Sequence, residues 1–194
     1  MLEVFIKSII FYAPSNGYTL LLQEGENATR QLPVMVGQFE AQAIALAMEN
    51  IDLPRPMTHD LLSNVIDTLT LGLESVVISD LRDGTFYANL LVRRPQGLEE
   101  IDARPSDAIA IAIRTKTPIF VEDWIMTEAG VTIEPKGADH SEESDRELLS
   151  RMDKLTSVAK KRYDLEEKLA NAIRDEDYEL AAVIRDQLRE LSHN

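Results

Sequence analysis

A short polar stretch directly before an apolar run carries side chains suited to phosphate chemistry. Asp102, Arg104 and Asp107 lie within six residues of one another, and Pro105 follows the arginine. Proline moves the preceding residue out of the helical region and is well tolerated in a first helical turn, so we predict that a helix begins here. Residues 108–113 are apolar on nearly every side, which indicates a buried helix. The charged side chains therefore lie at a core edge, where they must be paired, exposed or used.

Hydrolysis of a phosphodiester bond would need further polar residues from elsewhere in the chain. The reaction requires an activated water, stabilisation of charge on the phosphoryl oxygens and help for the leaving group. A histidine can act as general base or acid, a carboxylate can do proton work, and an arginine can hold a phosphate through two hydrogen bonds. The candidates for acid–base work are Glu40, His59, Asp60, Asp102 and Asp107, and those for phosphate binding are Arg55 and Arg104.

A divalent metal, Mg²⁺ or Mn²⁺, is a hypothesis that follows from acid content alone. Its oxygen ligands would be Asp102 and Asp107. The chain has no cysteine, which excludes disulfides and thiolate metal sites. It also has no P-loop, no dinucleotide-binding fingerprint, no His-x-x-x-His pair and no nucleophile elbow. Any chemistry therefore rests on carboxylates, imidazole and guanidinium.

Each candidate also has a purely structural explanation, and the sequence leaves both open. Glu40, Asp60 and Asp107 each fall in a predicted first helical turn, where a carboxylate is favoured by about 0.3–1 kcal/mol without any function. Arg55 and Arg104 each precede a proline and can fix a loop through an ion pair at the core edge. A histidine at a helix start is more often a surface or capping residue.

The elements that must position these residues are strands and helices in a mixed order. That order predicts an α+β fold, with a mixed, largely antiparallel sheet and helices packed on it. Thr58 is expected to cap the second helix and Gly72 to follow its end. Five apolar residues would lie on one face of that helix: Leu61, Leu62, Val65, Ile66 and Leu69. Predicted strands are 2–12, 18–23, 30–36, 74–81, 85–93, 98–103 and 118–121, and predicted helices are 40–48, 59–71, one from 106, and 122–129.

Charge and composition limit the classes of function. The formal net charge is −14, from 34 acids and 20 bases, which argues against avid, non-specific binding to nucleic acid. It leaves room for an enzyme that touches a phosphate backbone briefly at one site. No leader segment is visible at the N-terminus and no apolar run approaches spanning length, so we expect a cytoplasmic protein that does not contact membranes.

A change of composition near residue 131 divides the chain. We predict an α+β domain at residues 1–133, an acidic linker at 134–145 and a helical region at 146–194 that lacks Pro and Gly. Within the last region, capping-type residues at 174–177 separate two helices, which predicts an antiparallel helical hairpin at about 163–191.

The predicted hairpin has too little apolar surface to be stable alone. We therefore expect it to bind a partner, most simply a second copy of itself, so that the protein is a homo-oligomer. The alternative is that its apolar stripe packs on its own N-terminal domain. The predicted partner-binding residues are Leu165, Leu169, Ile173, Tyr178, Ala181, Ile184 and Leu188.

The hairpin resembles the UVR motif, through which the excision-repair proteins UvrB and UvrC contact each other. The motif also occurs on unrelated proteins, so the resemblance implies association with a protein partner and not excision repair. The matching segments are LEEKL (165–169), AI (172–173), EDYE (176–179) and AAVIRDQL (181–188).

The N-terminal part resembles the bifunctional nuclease family. Members are credited with cleaving both DNA and RNA, and some carry a C-terminal UVR motif. The resemblance implies a compact α+β domain that self-associates. The matching blocks are LPVMVG (32–37) with EA (40–41), RPMTHDLL (55–62), DGTFYA (83–88), IDARPSDA (101–108) and PIFV (118–121).

Two functions are consistent with these patterns. The first is a nuclease that hydrolyses DNA and RNA, with nucleic acid as a transient substrate and the candidate residues on one rim. The second is a non-catalytic regulatory module that recruits partners through its acidic surface and the UVR hairpin. The position of His59 relative to Asp102 distinguishes them, because the nuclease hypothesis expects both residues in one cleft.

Overall fold

In the computed structural model, the N-terminal part of the chain forms an eight-stranded sheet with helices packed on it, which confirms the predicted α+β class. Two compact units are present: Met1–Asp80 with Phe86–Leu148, and Leu81–Thr85 with Leu149–Asn194. The predicted linker lies outside the described residues. The structure describes residues 1–12, 17–25, 29–51, 53–69, 71–132, 161, 165, 168–169, 171–174 and 177–191.

The sheet is mixed and largely antiparallel. Its strands are β1 (Leu2–Tyr12), β2 (Gly17–Glu24), β3 (Arg30–Val36), β4 (Gly72–Arg82), β5 (Thr85–Arg94), β6 (Gly97–Ala103), β7 (Ile119–Val121) and β8 (Val131–Thr132). Their order in the sheet is β6-β5-β4-β7-β1-β2-β3-β8, in which β7 runs parallel to β4 and antiparallel to β1. Strand β6 is an edge strand with six of its seven residues exposed.

Four helices belong to the same unit, and the third is the most deeply buried. They are α1 (Gln38–Met48), α2 (Thr58–Thr68), α3 (Pro105–Thr115) and α4 (Asp123–Ala129). Both α1 and α2 contact α3. The apolar run of α3 is at most 1% exposed over residues 108–112, which confirms the predicted buried helix. Pro105 occupies the start of α3, and Arg104 precedes it in an extended conformation.

Helix α2 differs from the prediction in its ends and in its apolar face. Thr58 is its first residue and Met57 is the N-cap, while Gly72 belongs to β4. The N-cap amide finds its acceptor in the side chain of Asp60 (2.8 Å), so no threonine cap is needed. Only Ser63 and Ile66 of α2 are buried, because the helix meets the domain along a narrow stripe. The other residues of the predicted apolar face are exposed: Leu61, Leu62, Val65 and Leu69.

Arg114, in the last turn of α3, ties three helices together. Its Nε donates to Asp60 Oδ1 of α2 (2.5 Å), and its Nη2 donates to the Ala43 carbonyl of α1 (3.1 Å). Its Nη1 donates to the Ala110 carbonyl within α3 (2.8 Å). The arginine side chain is 11% exposed, so these hydrogen bonds lie largely out of water. They fix α1 and α2 against the buried helix.

The C-terminal unit has a small apolar core of its own. Helix α5 (Tyr178–Leu191) begins after Asp177, whose side chain accepts the Leu180 amide (3.0 Å), as the capping-type residues predict. Within the described part of the chain, no helix has the length and apolar character needed to cross a membrane. The core consists of Leu165, Ala172, Ala181 and Ile184, with Leu169 and Leu188 packed against it.

We predict that Arg114→Met lowers the free energy of unfolding by about 2–3 kcal/mol, because a shielded carboxylate and two carbonyls lose their donors. Urea denaturation at pH 7 measures the loss. The matched control is Arg93→Met, which removes an exposed ion pair with Glu74 and should change stability by at most about 1 kcal/mol. Equal losses in both variants would contradict the three-helix tie.

The same contacts predict an acid sensitivity. The hydrogen bond from Arg114 holds the pKa of Asp60 below its ordinary 3.8 against the opposing effect of burial. A lowered folded-state pKa gives stability that is complete above the unfolded value and is lost as pH falls through the folded value. As the pH falls from about 5 to below 3.8, the free energy of unfolding should therefore decrease less for Asp60→Asn than for the wild type.

Candidate active site

The first turns of α1, α2 and α3 bring four candidate side chains together. Glu40 is the third residue of α1, His59 the second of α2, and Asp107 the third of α3, with Arg104 as the N-cap of α3. Helix starts favour carboxylates through the helix dipole, which explains the two acids locally. We call Glu40, His59, Arg104 and Asp107 the helix-start cluster.

Asp107 is the centre of the cluster. His59 Nε2 lies 3.1 Å from Asp107 Oδ1, and this contact joins residues 48 positions apart in the chain. Arg104 donates to the same carboxylate twice, through Nε to Oδ2 (2.7 Å) and through Nη2 to Oδ1 (3.2 Å). The Nη1 of the arginine then lies 3.2 Å from Glu40 Oε1. The four side chains thus form one connected chain of charge-assisted contacts.

The protonation of His59 follows from the state of Asp107. Burial raises the pKa of Asp107, but the hydrogen bonds from Arg104 and His59 outweigh it and hold the pKa below the ordinary 3.8. The carboxylate is therefore ionised at neutral pH and can only accept hydrogen bonds. Nε2 of His59 must carry the proton that it donates. In the neutral ring Nδ1 is then the acceptor, and no described group bonds to it.

Arg104 has hydrogen-bonding capacity left for a ligand. The hydrogen bond to Asp107 raises the pKa of Arg104, so the guanidinium is charged throughout. Its three contacts with Asp107 and Glu40 use three of five N–H groups and leave two. The side chain is 67% exposed. The cluster as a whole pairs one fixed cation with two anions, so it is not a strongly positive site.

Three other sequence candidates lie outside these contacts. Asp60 follows His59 directly but binds Arg114 and caps α2. Asp102 is exposed on β6 opposite Asn89, and its carboxylate makes no hydrogen bond or ion pair with the described part of the chain. Arg55 is exposed before α2 and likewise has no ion pair among the described residues.

Gly37 matters to the site in a way that the sequence did not reveal. It is the N-cap of α1 and has an extended backbone, φ −70° and ψ 167°, that any residue can adopt. A Cβ placed on Gly37 would collide with Oε2 of Glu40, because that side chain turns back over the glycine. The missing side chain therefore leaves room for the carboxylate that meets Arg104. The spacing of three residues between Gly37 and Glu40 was the available signal.

The side chains of the helix-start cluster are poorly suited to a resident metal ion. Among the described residues, no group of three or more His, Asp and Glu side chains is placed to hold one. Both acids of the helix-start cluster are already bound by Arg104, whose charge opposes that of a cation. The cluster in this form does not fit a resident metal.

Comparison with known sequences gives two family matches. Residues 20–134 match the Bifunctional nuclease domain, and residues 160–194 match the UvrB/uvrC motif. The first match begins within β2 and covers the rest of the sheet after it, all four helices of the first unit and the whole helix-start cluster.

Individual relatives divide into two groups. An uncharacterized protein of Mycobacterium tuberculosis is 42% identical over 145 residues, which is 75% of this chain and 86% of that protein. Bifunctional nuclease 2 of Arabidopsis thaliana is 26% identical over 185 residues, and Bifunctional nuclease 1 of Oryza sativa subsp. japonica is 27% identical over 183. Both alignments cover 91% of this chain but only 56% and 55% of the plant proteins.

We predict that Gly37→Ala moves the Glu40 carboxylate away from Arg104 while the fold stays intact. Stability should change by less than about 1 kcal/mol, since a poorer N-cap and a stiffer unfolded chain have opposite effects. The Nε–Hε resonance of Arg104 in a ¹H–¹⁵N spectrum should shift. The control is Gly72→Ala, whose Cβ would make only an ordinary 3.6 Å contact with Arg93. An unmoved Arg104 resonance in Gly37→Ala would show that Glu40 does not depend on the glycine.

Proposed function

The chain belongs to the bifunctional nuclease domain family, and from this membership and the helix-start cluster we propose that it hydrolyses phosphodiester bonds in DNA and RNA. The observation that carries the proposal is the contact between His59 Nε2 and Asp107 Oδ1 at 3.1 Å. It orients an imidazole whose second nitrogen is unbonded among the described residues. That arrangement is suited to general acid–base catalysis.

In the proposed reaction His59 acts as the general base. Its Nδ1 takes a proton from a water molecule while the water oxygen forms a bond to phosphorus. The bond from phosphorus to the leaving oxygen breaks, that oxygen takes up a proton from solvent water, and the imidazolium returns its own proton to solvent, so no net proton is gained or lost in these transfers. Asp107 holds the ring in the required tautomer and stabilises the imidazolium that forms, and its lowered pKa keeps it charged for this task.

Arg104 is the proposed phosphate-binding group. Its two remaining N–H groups can meet the non-bridging oxygens of a phosphodiester, where negative charge increases in the transition state. Arg55 is proposed as a second, exposed cation that contacts a neighbouring phosphate. The acids beside Arg104 keep binding weak, in agreement with a net charge of −14 and a transient substrate.

In this proposal a divalent ion binds only together with the substrate, whose phosphates supply part of its ligands. Mg²⁺ is commonly held by one or two carboxylates together with substrate phosphates, so it needs no complete protein cage. Asp102 is the candidate carboxylate, because no cation among the described residues occupies it. Assays with Mg²⁺, with Mn²⁺ and with chelator test this role.

We expect His59→Ala to lower kcat for single-stranded DNA and RNA by about 10²–10⁴-fold, the usual contribution of a general base. Asp107→Asn should also lower kcat, because the amide can present an N–H to Nε2 and thereby favour the wrong tautomer. Arg104→Ala should raise KM and lower kcat together. Cleavage of labelled oligonucleotides by purified protein measures these effects.

The matched control is Asp123→Asn, an exposed carboxylate on α4 whose loss should leave cleavage unchanged. Asp102→Asn separates the two acids of the polar stretch. Full activity in both His59→Ala and Asp107→Asn would refute the proposed site. Activity that resists every variant would indicate a contaminating nuclease.

A second proposed function, association with a protein partner, is favoured by the apolar surface of the C-terminal unit. Five of the seven predicted partner-binding residues pack in the hairpin's own core. The other two, Ile173 and Tyr178, are 54% and 69% exposed, and Leu180 and Val183 are exposed beside them in the chain. We propose that these four residues bind a second copy of the chain or a UVR-type protein.

Val183→Glu should weaken this association, because a charge on an apolar interface must be desolvated. Light scattering after size exclusion, over a range of protein concentrations, measures the oligomeric state. The control is Arg185→Gln, which changes the net charge by the same amount at a position of α5 that is 72% exposed. A protein whose oligomeric state is the same in both variants would not associate through this surface.

A further inference from the structure

Three aromatic side chains come from the first turn of α1 and from strands β1 and β2, of which β2 pairs with the strand that leads into α1. Phe39, the second residue of α1, is 79% exposed, which is the highest value for any large apolar side chain in the described part of the chain. Phe11 of β1 is 56% exposed and lies opposite Tyr18 of β2. Tyr18 lies in turn opposite Val36, the last residue of β3 before the N-cap of α1. We call Phe11, Tyr18 and Phe39 the aromatic platform.

Two rings of the platform contact each other. The rings of Phe11 and Tyr18 meet edge to face, with centroids 5.4 Å apart and an interplanar angle of 68°. Phe11 stays 56% exposed in this arrangement, and Tyr18 is half-buried. Neighbouring strands lie about 4.8 Å apart, so the two-strand step from Phe11 to Val36 spans about 10 Å. The platform therefore extends over a distance comparable to one or two nucleotides.

The aromatic platform and the helix-start cluster share the first turn of α1. Phe39 directly precedes Glu40, whose carboxylate meets Arg104. Their Cα atoms are about 3.8 Å apart, and their side chains leave the helix in directions about 100° apart. The first turn of α1 therefore carries both an exposed aromatic ring and the carboxylate that meets the proposed phosphate-binding arginine.

Charge alone gives this protein little affinity for nucleic acid. The net charge is −14, and the helix-start cluster holds two acids beside one arginine, so few counterions are released on binding. Stacking of bases on aromatic rings does not depend on basic surface and tolerates any sequence. Bases in a duplex already have both faces covered, so they cannot stack on a protein ring without unpairing.

We propose that Phe39, together with Phe11 and Tyr18, stacks the nucleobases of an unpaired strand and so makes single-stranded nucleic acid the substrate. This inference rests on the proposed nuclease function and adds the group that selects the strand. Phe39 is a binding residue in this account, and His59 and Asp107 keep their roles.

The test measures binding of a ten-nucleotide single strand by fluorescence anisotropy in the His59→Ala background, which keeps the strand intact. Phe39→Ala should weaken binding about 5- to 150-fold, the loss of about 1–3 kcal/mol at 1.4 kcal/mol per tenfold. Phe39→Trp should restore it. The protein that retains Phe39 should bind the same strand with abasic sites about as weakly as the Phe39→Ala protein binds the intact strand. Both proteins should bind a duplex weakly.

The matched control is Phe5→Ala on the same strand β1. Phe5 is 48% exposed and lies six residues, about 20 Å, from Phe11, so its loss should not change binding. Phe39→Leu keeps an apolar side chain without a π-face and should bind as weakly as Phe39→Ala. Equal affinity for abasic and intact strands, or a Phe39→Ala protein that binds normally, would overturn the inference. So would a Phe39→Ala change in oligomeric state with unchanged strand binding.

Cleavage assays on the otherwise wild-type protein separate the two proposals. If the protein cleaves nucleic acid and Phe39→Ala changes neither KM nor strand preference, the stacking role is overturned and the nuclease proposal stands. Binding that depends on Phe39 with no cleavage by the wild type overturns the nuclease and leaves a single-strand binding surface.

Discussion

Burial of an apolar helix with charged ends is the constraint on which this structure depends. Helix α3 is sealed from water along its middle, so its polar groups can stand only at its two ends. Each end holds both neighbouring helices. Asp107 and Arg104 at the start reach His59 of α2 and Glu40 of α1, and Arg114 at the end reaches Asp60 and the Ala43 carbonyl. Charges at the edge of the core must be paired, and these pairs also position the side chains of the candidate active site.

Much of this arrangement could be predicted from the sequence because it is local. The apolar run after Pro105 predicts a buried helix, and β-branched and aromatic runs predict the strands. The partner of each charge could not be predicted. His59 and Asp60 are adjacent in the same first turn, yet one binds Asp107 and the other Arg114. Only the packing of α2 on α3 decides between them. The parallel pairing of β7 with β4 is likewise set by tertiary structure.

The predicted hairpin shows the same limit. Helical spacing identified its apolar residues, and five of the seven pack against one another in its core. Spacing does not distinguish a residue that faces the other helix from one that faces outward, because both recur with the helical period. Ile173 and Tyr178 belong to the same periodic pattern as the core residues, but the structure shows that they are exposed. The two family matches lie on one chain, and neither match names a binding partner for the second unit.

Helix α2 is attached to the domain by few buried apolar side chains and by several polar contacts. It buries only Ser63 and Ile66, while its first turn carries the bonds from His59 to Asp107 and from Asp60 to Arg114. Apolar packing of α2 on the domain is thus small, and contacts of ionised carboxylates contribute much of its attachment. Acid strong enough to protonate these carboxylates, whose pKa values lie below the ordinary 3.8, therefore acts on this helix before it acts on the sheet, and α2 is the segment whose amides would then first exchange with solvent as a separate cooperative unit. Detachment of that one helix withdraws the imidazole from its carboxylate while the rest of the scaffold stays folded.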